Sequence, residues 1–210
     1  MLKIKKYVLL DEFFPNTYLV WDEEKHTGIV IDPSNKASLI LKETERLGFT
    51  LNAIVNTHGH VDHIGANKEL KQKSPDLKIC IHELDSQMLT DPVRNGSIGF
   101  GNPIISPAAD ILLQEGDKIS IGSYYLNVIH IPGHTPGGIC LYADKILFSG
   151  DTLFYEGIGR TDLPGGDSEK LLESIRTKLF SLPDETKIFP GHGEATTIGH
   201  EKKYNIFITS

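Results

Sequence analysis

Three histidines and one aspartate lie within six residues of one short segment. Residues 56–65 read NTHGHVDHIG, and the candidate side chains are His58, His60, Asp62 and His63. A buried imidazole nitrogen needs a hydrogen-bonding or coordinating partner, so such a cluster has little use in an apolar core. Imidazole and carboxylate are ligands that Zn²⁺, Fe²⁺ and Mn²⁺ accept. The segment therefore indicates a metal site.

Three further ligand-type residues follow apolar runs later in the chain. Each run is typical of a short buried strand, and each ends in a loop that contains glycine. Open sheets place their sites outside the carboxyl ends of strands, so four strand ends, the first after residues 51–55, can bring all the candidates together. The three further candidates are His134, Asp151 and His192.

The elements that position these residues are indicated by periodicity and turn signals. Residues 168–180 form the clearest predicted helix, with Asp167 as its N-cap and Pro183 just beyond its end. Helical spacing also appears at 36–47, 62–73 and 83–90. Strands are predicted at 3–10, 17–21, 28–31, 51–55, 78–81, 111–113, 118–121, 125–131, 138–142, 145–149 and 187–189. This pattern by itself supports a single domain of mixed α and β structure.

The order of the candidate ligands resembles the metallo-β-lactamase superfamily, and the resemblance covers nearly the whole chain. Within that superfamily the chain is most similar to the short glyoxalase II-like hydrolases, through GDTLF at 150–154, GRTD at 159–162 and GHGEATTIG at 191–199. The resemblance implies an α/β (α+β) fold, an αβ/βα sandwich. In that fold two mixed sheets pack face to face, and helices cover both outer faces.

The resemblance also implies a dinuclear centre of two divalent metal ions, with zinc expected first and iron or manganese as alternatives. Asp62 and Asp151 are the predicted catalytic residues, since a metal-bound hydroxide would attack the substrate carbonyl between the two ions. A thiol leaves without a dedicated acid because its pKa is about 8.5, so we expect hydrolysis of acyl thioesters. Esters and lactones stay open as substrates. The implied assignment is His58, His60 and His134 to one ion, Asp62, His63 and His192 to the other, and Asp151 to both.

Two residues are candidates for contact with the substrate. Arg160 can bind a substrate carboxylate in a forked geometry, or it can pair with Asp162 and shape its loop. Phe100 belongs to the segment 91–110, which lacks periodicity and is rich in glycine, proline and serine. Such a segment predicts either a substrate cover or a plain surface connection. Its expected apolar lining also includes Ile98, Ile104 and Ile105.

Full-length glyoxalase II differs from this chain in two ways. It carries a C-terminal helical domain that helps to hold glutathione, whereas we expect residues 1–210 to form one domain without that addition. It also has a lysine and an aromatic residue in the loop after the bridging aspartate, where this chain has Arg160, Thr161 and Asp162. We therefore expect glutathione to be recognised weakly.

Composition limits the partners of the protein. The chain has 210 residues and a net charge of −7, which argues against nucleic acid. No secretory segment or bilayer-spanning stretch is present, so a cytoplasmic protein without a membrane partner is expected. Cys80 and Cys140 stand alone on apolar runs and are predicted to be buried rather than redox-active. The oligomeric state has no sequence signal.

Three other functions compete with thioester hydrolysis. One is persulfide oxidation by a dioxygenase that holds a single Fe²⁺ through His58, His134 and Asp151, a facial triad of two histidines and a carboxylate. Another is oxygen reduction at a di-iron centre, which is disfavoured because such relatives have glutamate at the position of His60. The last is a non-catalytic binding module, which the complete ligand set disfavours.

Overall fold

Two six-stranded sheets form the frame of the protein in the computed structural model, which describes residues 1–10, 13–101 and 103–209. The first sheet contains β1 (Leu2–Val8), β2 (Asn16–Asp22), β3 (Thr27–Ile31), β4 (Thr50–Val55), β5 (Lys78–His82) and β6 (Ile111–Leu113). These strands lie in chain order. The first three are antiparallel, and β3 to β6 are parallel. The carboxyl ends of β3, β4 and β5 therefore meet at one edge.

The second sheet is also mixed. It contains β7 (Lys118–Ile121), β8 (Tyr124–His130), β9 (Ile139–Ala143), β10 (Ile146–Gly150), β13 (Lys187–Pro190) and β14 (Thr196–Thr197), while β11 (Leu153–Phe154) pairs with β12 (Gly157–Ile158). The order across the sheet is β14-β13-β10-β9-β8-β7. Since β10 is parallel to β13, and β9 is antiparallel to both β8 and β10, the strands β8, β10 and β13 run in the same direction.

Short helices connect these strands. They are α1 (Ala37–Leu47), α2 (Val61–Ile64), α3 (Asn67–Lys73), α4 (Ser86–Thr90), α5 (Ser168–Ser174), α6 (Ile198–Tyr204) and α7 (Ile206–Thr209). Two 3₁₀ turns lie at Glu83–Asp85 and Ser97–Phe100, and a π-helical segment, Ile175–Leu179, continues α5. Among the described residues, no helix is long and apolar enough to cross a membrane.

Three clusters of buried apolar side chains define the layers. The middle cluster joins Val20 and Ile31 of the first sheet to Leu126 and Phe148 of the second. A second cluster packs α1 and α3 on the outer face of the first sheet, and the third packs α5 and α6 on the outer face of the second. Because both faces of each sheet are covered, its central strands are almost continuously apolar. The predicted αβ/βα sandwich is confirmed.

The predicted elements are present, with some corrections. All eleven predicted strands form, and no end shifts by more than two residues. The predicted helix 62–73 is wrong in that it is two helices, because the amide of Ala66 donates to the carbonyl of Pro33 instead of continuing the first one. The two-residue strands β11, β12 and β14 were missed because they are too short to show a period. The carboxylate of Asp167 accepts from the amide of Lys170, which confirms the predicted N-cap.

Candidate metal centre

The seven predicted ligand side chains converge where strand ends of both sheets meet. The loops after β4, β8, β10 and β13 carry them, because these strands deliver their carboxyl ends to a common edge. Three groups of three side chains each have donor atoms within 4.8 Å of one another, and the third, Asp32, His58 and His63, shares a histidine with each of the other two. The first group is His58, His60 and His134, and the second is Asp62, His63 and His192.

Asp151 lies between the first and second groups. One carboxylate oxygen, Oδ2, is 3.7 Å from Nε2 of His134 and 3.4 Å from Nε2 of His192. The other oxygen, Oδ1, is 3.4 Å from Nε2 of His63. A single carboxylate therefore reaches donor atoms of both groups, which is the position that a bridging ligand occupies. The role of all seven residues as ligands stays a prediction.

The close approach of imidazole nitrogens to one another fits a pair of cations. Nδ1 of His60 faces Nε2 of His134 at 2.9 Å, and Nε2 of His63 faces Nε2 of His192 at 3.2 Å. Nε2 of the buried His58 has no hydrogen-bond partner among the described residues, and neither has Oδ1 of Asp151. Buried polar atoms without partners are costly. Nitrogen and oxygen donors without cysteine suit Zn²⁺, Fe²⁺ or Mn²⁺.

Backbone carbonyls fix the orientation of two candidate ligands. Nδ1 of His134 donates to the carbonyl of Arg160 at 2.7 Å, and Nδ1 of His192 donates to the carbonyl of Phe13 at 2.8 Å. A carbonyl only accepts, so in each neutral ring the proton lies on Nδ1 and the lone pair lies on Nε2. Both lone pairs therefore point into the centre.

Asp32, which the sequence analysis missed, orients two more of the candidate ligands. Its carboxylate accepts from Nδ1 of His63 at 3.0 Å and from the hydroxyl of Thr57 at 2.6 Å. The same hydroxyl oxygen lies 3.2 Å from Nδ1 of His58 and can accept its proton. Asp32 directly follows β3, so its only sequence signal is an aspartate at a strand end. Such carboxylates hold metal-binding imidazoles in one tautomer.

Asp85, also missed, joins two of the loops that carry the candidate ligands. Its buried carboxylate accepts from the amides of Gly59 and Gly137 at 3.2 and 2.6 Å, and from the hydroxyl of Thr135 at 2.7 Å. Burial raises the pKa of Asp85, although these three donors oppose the rise. The carboxylate therefore ties the loop of His58 to the loop of His134.

Two glycines in these loops are required by close contacts. A Cβ on Gly59 would collide with the side chain of Met88, and a Cβ on Gly191 would collide with Oδ1 of Asp151. The loop of Gly191 therefore approaches the centre, and the loop of Gly59 approaches α4, more closely than a residue with a side chain allows.

The electrostatics of the centre differ between the two groups. Burial lowers the pKa of His58 well below its usual value and that of His60 to about 4, so these two rings are neutral at pH 7. Burial also acts to lower the pKa of His63, but the carboxylates of Asp151 and Asp62 outweigh it and raise that pKa to about 9. Burial acts to raise the pKa of Asp151, but His63 and His192 hold it well below its usual range. The two carboxylates thus attract positive charge, from protons or from metal ions.

A cavity of about 510 Å³ opens over the centre. The segment 91–110 contributes Phe100 to its wall, together with Asn95 and two glycines. Asn95 is buried and holds the segment in place. Its side-chain amide donates to the carbonyls of Met88 and Ile104, and its backbone carbonyl accepts from the amide of Val61. The segment therefore covers one side of the centre, as one of its two predicted roles requires.

Arg160 lines the cavity, and its guanidinium makes two hydrogen bonds of 2.7 Å to the carboxylate of Asp162. Ile98 and Ile105 are exposed and do not belong to the described lining, so the expected apolar contribution of these two residues is wrong. Both cysteines are buried and free, as predicted.

A sandwich of this kind, with histidine and aspartate donors at its strand ends, is the architecture of a class of metal-binding hydrolases. The chain belongs to the metallo-beta-lactamase superfamily, whose family model matches residues 10–192. The match includes every candidate ligand from His58 to His192.

Known proteins resemble the chain over nearly its whole length. It is 40% identical over 206 residues to hydroxyacylglutathione hydrolase GloC of Haemophilus influenzae, with 94% of each chain covered. Among solved structures it is similar to BLEG-1 B3 metallo-beta-lactamase, with 38% identity, a TM-score of 0.92, and coverage of 99% of this chain and 100% of the other. It is also similar to TTHA1623 in a di-iron-bound form, with 36% identity, a TM-score of 0.84, and coverage of 95% and 98%. The chain is thus a hydrolase of this superfamily.

Proposed function

We propose that this protein is a metal-dependent thioesterase that hydrolyses small acyl thioesters and accepts those of the hydroxyacylglutathione type. The observation that carries the proposal is the placement of Asp151 between two groups of ligand-type side chains beneath an open cavity. The 40% identity to hydroxyacylglutathione hydrolase GloC supports the same reaction.

The proposed centre holds two divalent metal ions, one on each group of three side chains, with Asp151 shared. Two such ions lower the pKa of water and polarise a carbonyl oxygen. Zinc is proposed first, and iron is supported by the relative in a di-iron-bound form. The protein contributes orientation, since Asp32 and the carbonyls of Phe13 and Arg160 hold the imidazole lone pairs inward.

The cavity wall favours a thiol as leaving group. Apart from five of the candidate ligands, the described lining consists of Phe13, Val61, Asn95, Gly96, Gly99, Phe100, Arg160 and Leu163. None of these side chains donates a proton readily near pH 7. An amine would need protonation to leave, whereas a thiol with a pKa of about 8.5 leaves as a thiolate. A thioester therefore matches the groups that surround the reacting carbonyl.

The alternative is a persulfide dioxygenase with one Fe²⁺ on His58, His134 and Asp151. That mechanism leaves the second group without a role in metal binding. The convergence of His63 and His192, whose Nε2 atoms lie 3.2 Å apart, favours the dinuclear hydrolase.

Thioester cleavage under nitrogen and in air separates the two reactions. We expect equal rates of S-D-lactoylglutathione hydrolysis in both atmospheres, and a loss of at least 100-fold for His63→Ala and His192→Ala. His26→Asn, a change at an exposed histidine far along the chain from the candidate ligands, serves as the matched control and should keep full activity. Oxygen consumption with glutathione persulfide, without thioester cleavage, would instead establish the dioxygenase.

A further inference from the structure

Two phenylalanine rings from separate loops meet at the mouth of the cavity. Phe13 precedes β2 and Phe100 ends the 3₁₀ turn of the segment 91–110, yet their ring centroids are 5.0 Å apart in an edge-to-face arrangement. The rings are 47% and 57% exposed, although burial of such rings is favourable. An exposed aromatic pair that lines a cavity is available to an apolar group of a ligand.

The same pair borders a second, smaller cavity of about 190 Å³. Phe13, Val61, Asp62 and Phe100 line both cavities, and Leu10 and Ile104 add apolar surface to the smaller one. A substrate whose carbonyl lies at the metal centre can therefore place a neighbouring group against the two rings.

The charge of these walls disfavours an anionic group. Among the described lining residues of both cavities, Arg160 is the only lysine or arginine, and the carboxylate of Asp162 already occupies its guanidinium with two hydrogen bonds. The carboxylates of Asp62 and Asp151 are assigned to the metal ions, and the chain as a whole carries a net charge of −7. The glutathione portion of a thioester brings two carboxylates, which find no unpaired cation on these walls.

We propose that Phe13 and Phe100 form an apolar specificity wall that selects thioesters with an uncharged aromatic or alkyl group over thioesters of glutathione. This inference rests on the proposed thioesterase function and names the substrate class of the same site. Phe13 has a second role, because its carbonyl accepts the Nδ1 proton of His192. The wall is therefore joined to the metal centre through the backbone.

Four substrates test the wall: lactoyl and phenylacetyl thioesters, each on glutathione and on the neutral thiol N-acetylcysteamine. With the metal-loaded protein, we expect kcat/KM for phenylacetyl-N-acetylcysteamine to exceed that for lactoylglutathione at least 10-fold. Phe100→Ala and Phe13→Ala should lower the former about 10- to 100-fold, because the apolar group of the substrate loses the aromatic ring that it packs against. The same variants should lower the ratio of kcat/KM for phenylacetyl-N-acetylcysteamine to kcat/KM for lactoylglutathione at least threefold.

Controls separate the wall from general damage to the site. Ile98→Ala removes an exposed apolar side chain from the same segment without touching either cavity, and it should leave the substrate preference unchanged. Phe13→Leu and Phe100→Leu keep an apolar side chain and should retain most of the preference. Metal content, measured for every variant, should equal that of the wild type.

Binding of a thioether that cannot be cleaved provides a readout independent of catalysis. The phenethyl thioether of N-acetylcysteamine should bind the wild-type protein at least 10-fold more tightly than Phe100→Ala. If no thioester is cleaved but this difference remains, the proposed function fails and the apolar wall stands. A higher kcat/KM for lactoylglutathione, with all four substrates equally affected by Phe100→Ala, would overturn the wall while leaving the thioesterase intact.

Discussion

At the scale of single residues, the centre depends on side chains that do not themselves face its interior. The carboxylate of Asp32 accepts hydrogen bonds from His63 and Thr57, and that of Asp85 connects Gly59 with Thr135 and Gly137. Both carboxylates are almost completely buried. Their loss would leave the candidate ligands in place but free to rotate, so their effects should appear first in metal affinity.

Asp32→Asn should weaken metal binding by about 10- to 100-fold, the usual cost of losing a carboxylate behind a metal-binding histidine. The amide cannot accept from His63 and Thr57 as strongly, so the imidazole lone pairs lose their fixed direction. Competition with a chromophoric chelator measures the affinity. Asp76→Asn, at an exposed position, is the control, and equal affinities for the two variants would exclude this role for Asp32.

Stability should fall in mild acid because of His82. Burial, followed by the neighbouring His130 ring stacked at 4.0 Å, lowers the pKa of His82 to about 4. In the unfolded chain this pKa is 6.5, so the unfolded state takes up the proton first. The neutral His82 ring therefore makes its full contribution to the free energy of unfolding above pH 6.5. This contribution is lost as the pH falls toward 4, by at most about 1.4 kcal/mol per pH unit.

Urea unfolding at pH 7, 6 and 5 measures this loss. The free energy of unfolding should decrease less between pH 7 and 5 for His82→Gln than for the wild type, since the glutamine does not titrate. His26→Asn, which changes an exposed histidine, should follow the wild type. If the free energy of unfolding falls equally for the wild type and His82→Gln, His82 does not cause the loss of stability in acid.

At the scale of elements, the loops after the strands determine how close the candidate ligands come. The amide of Asn16 donates to the carbonyl of Gly191, and its side chain donates to the carbonyls of Pro190 and Gly193. The start of β2 thereby fixes the loop that carries His192. Because of these hydrogen bonds, the loop cannot move away from Asp151 to relieve a steric clash.

Gly191→Ala should therefore reduce metal occupancy while the fold persists. The added Cβ would collide with Oδ1 of Asp151, the carboxylate that reaches both groups. We expect occupancy below half that of the wild type, measured by elemental analysis, and an unchanged far-ultraviolet circular dichroism spectrum. Gly157→Ala places its Cβ at an ordinary 3.7 Å from Phe154 and should keep full occupancy.

At the scale of the whole molecule, the site lies on an edge that both sheets share. The first sheet contributes His58 to His63, and the second contributes His134, Asp151 and His192. A metal ion on the first group, or a bridging carboxylate, therefore joins the two halves of the sandwich. Metal binding should for this reason stabilise the fold as well as complete the site.

Metal removal should lower both activity and thermal stability. We expect about two ions per chain in protein supplied with Zn²⁺ and less than a tenth of the activity after chelation. At a free concentration 100 times Kd, each ion adds about 2.7 kcal/mol to the free energy of unfolding. Calorimetry with Zn²⁺ and with Ca²⁺, which prefers an all-oxygen site, should show a higher Tm with zinc alone. Full activity after chelation would refute a metal-dependent reaction.

The seven candidate ligands and the sandwich could be predicted from the sequence because short segments of the chain indicate both. Four ligands lie within residues 58–63, and each of the others follows an apolar run that reads as a strand. Since parallel strands end at one edge, their convergence followed from the strand order that the family resemblance implies. Local spacing and family pattern here pointed to the same architecture.

The tertiary structure decided which distant residues serve the centre. Asp32 meets His63, Asp85 meets Gly137, and Phe13 meets Phe100 across 31, 52 and 87 positions of the chain. No local period encodes such contacts, because they arise only when separate strand ends are packed together. Arg160 pairs with Asp162 only two positions away, as one of its two predicted roles requires, whereas the contact between Phe13 and Phe100 beside the cavity needed the packing of distant segments.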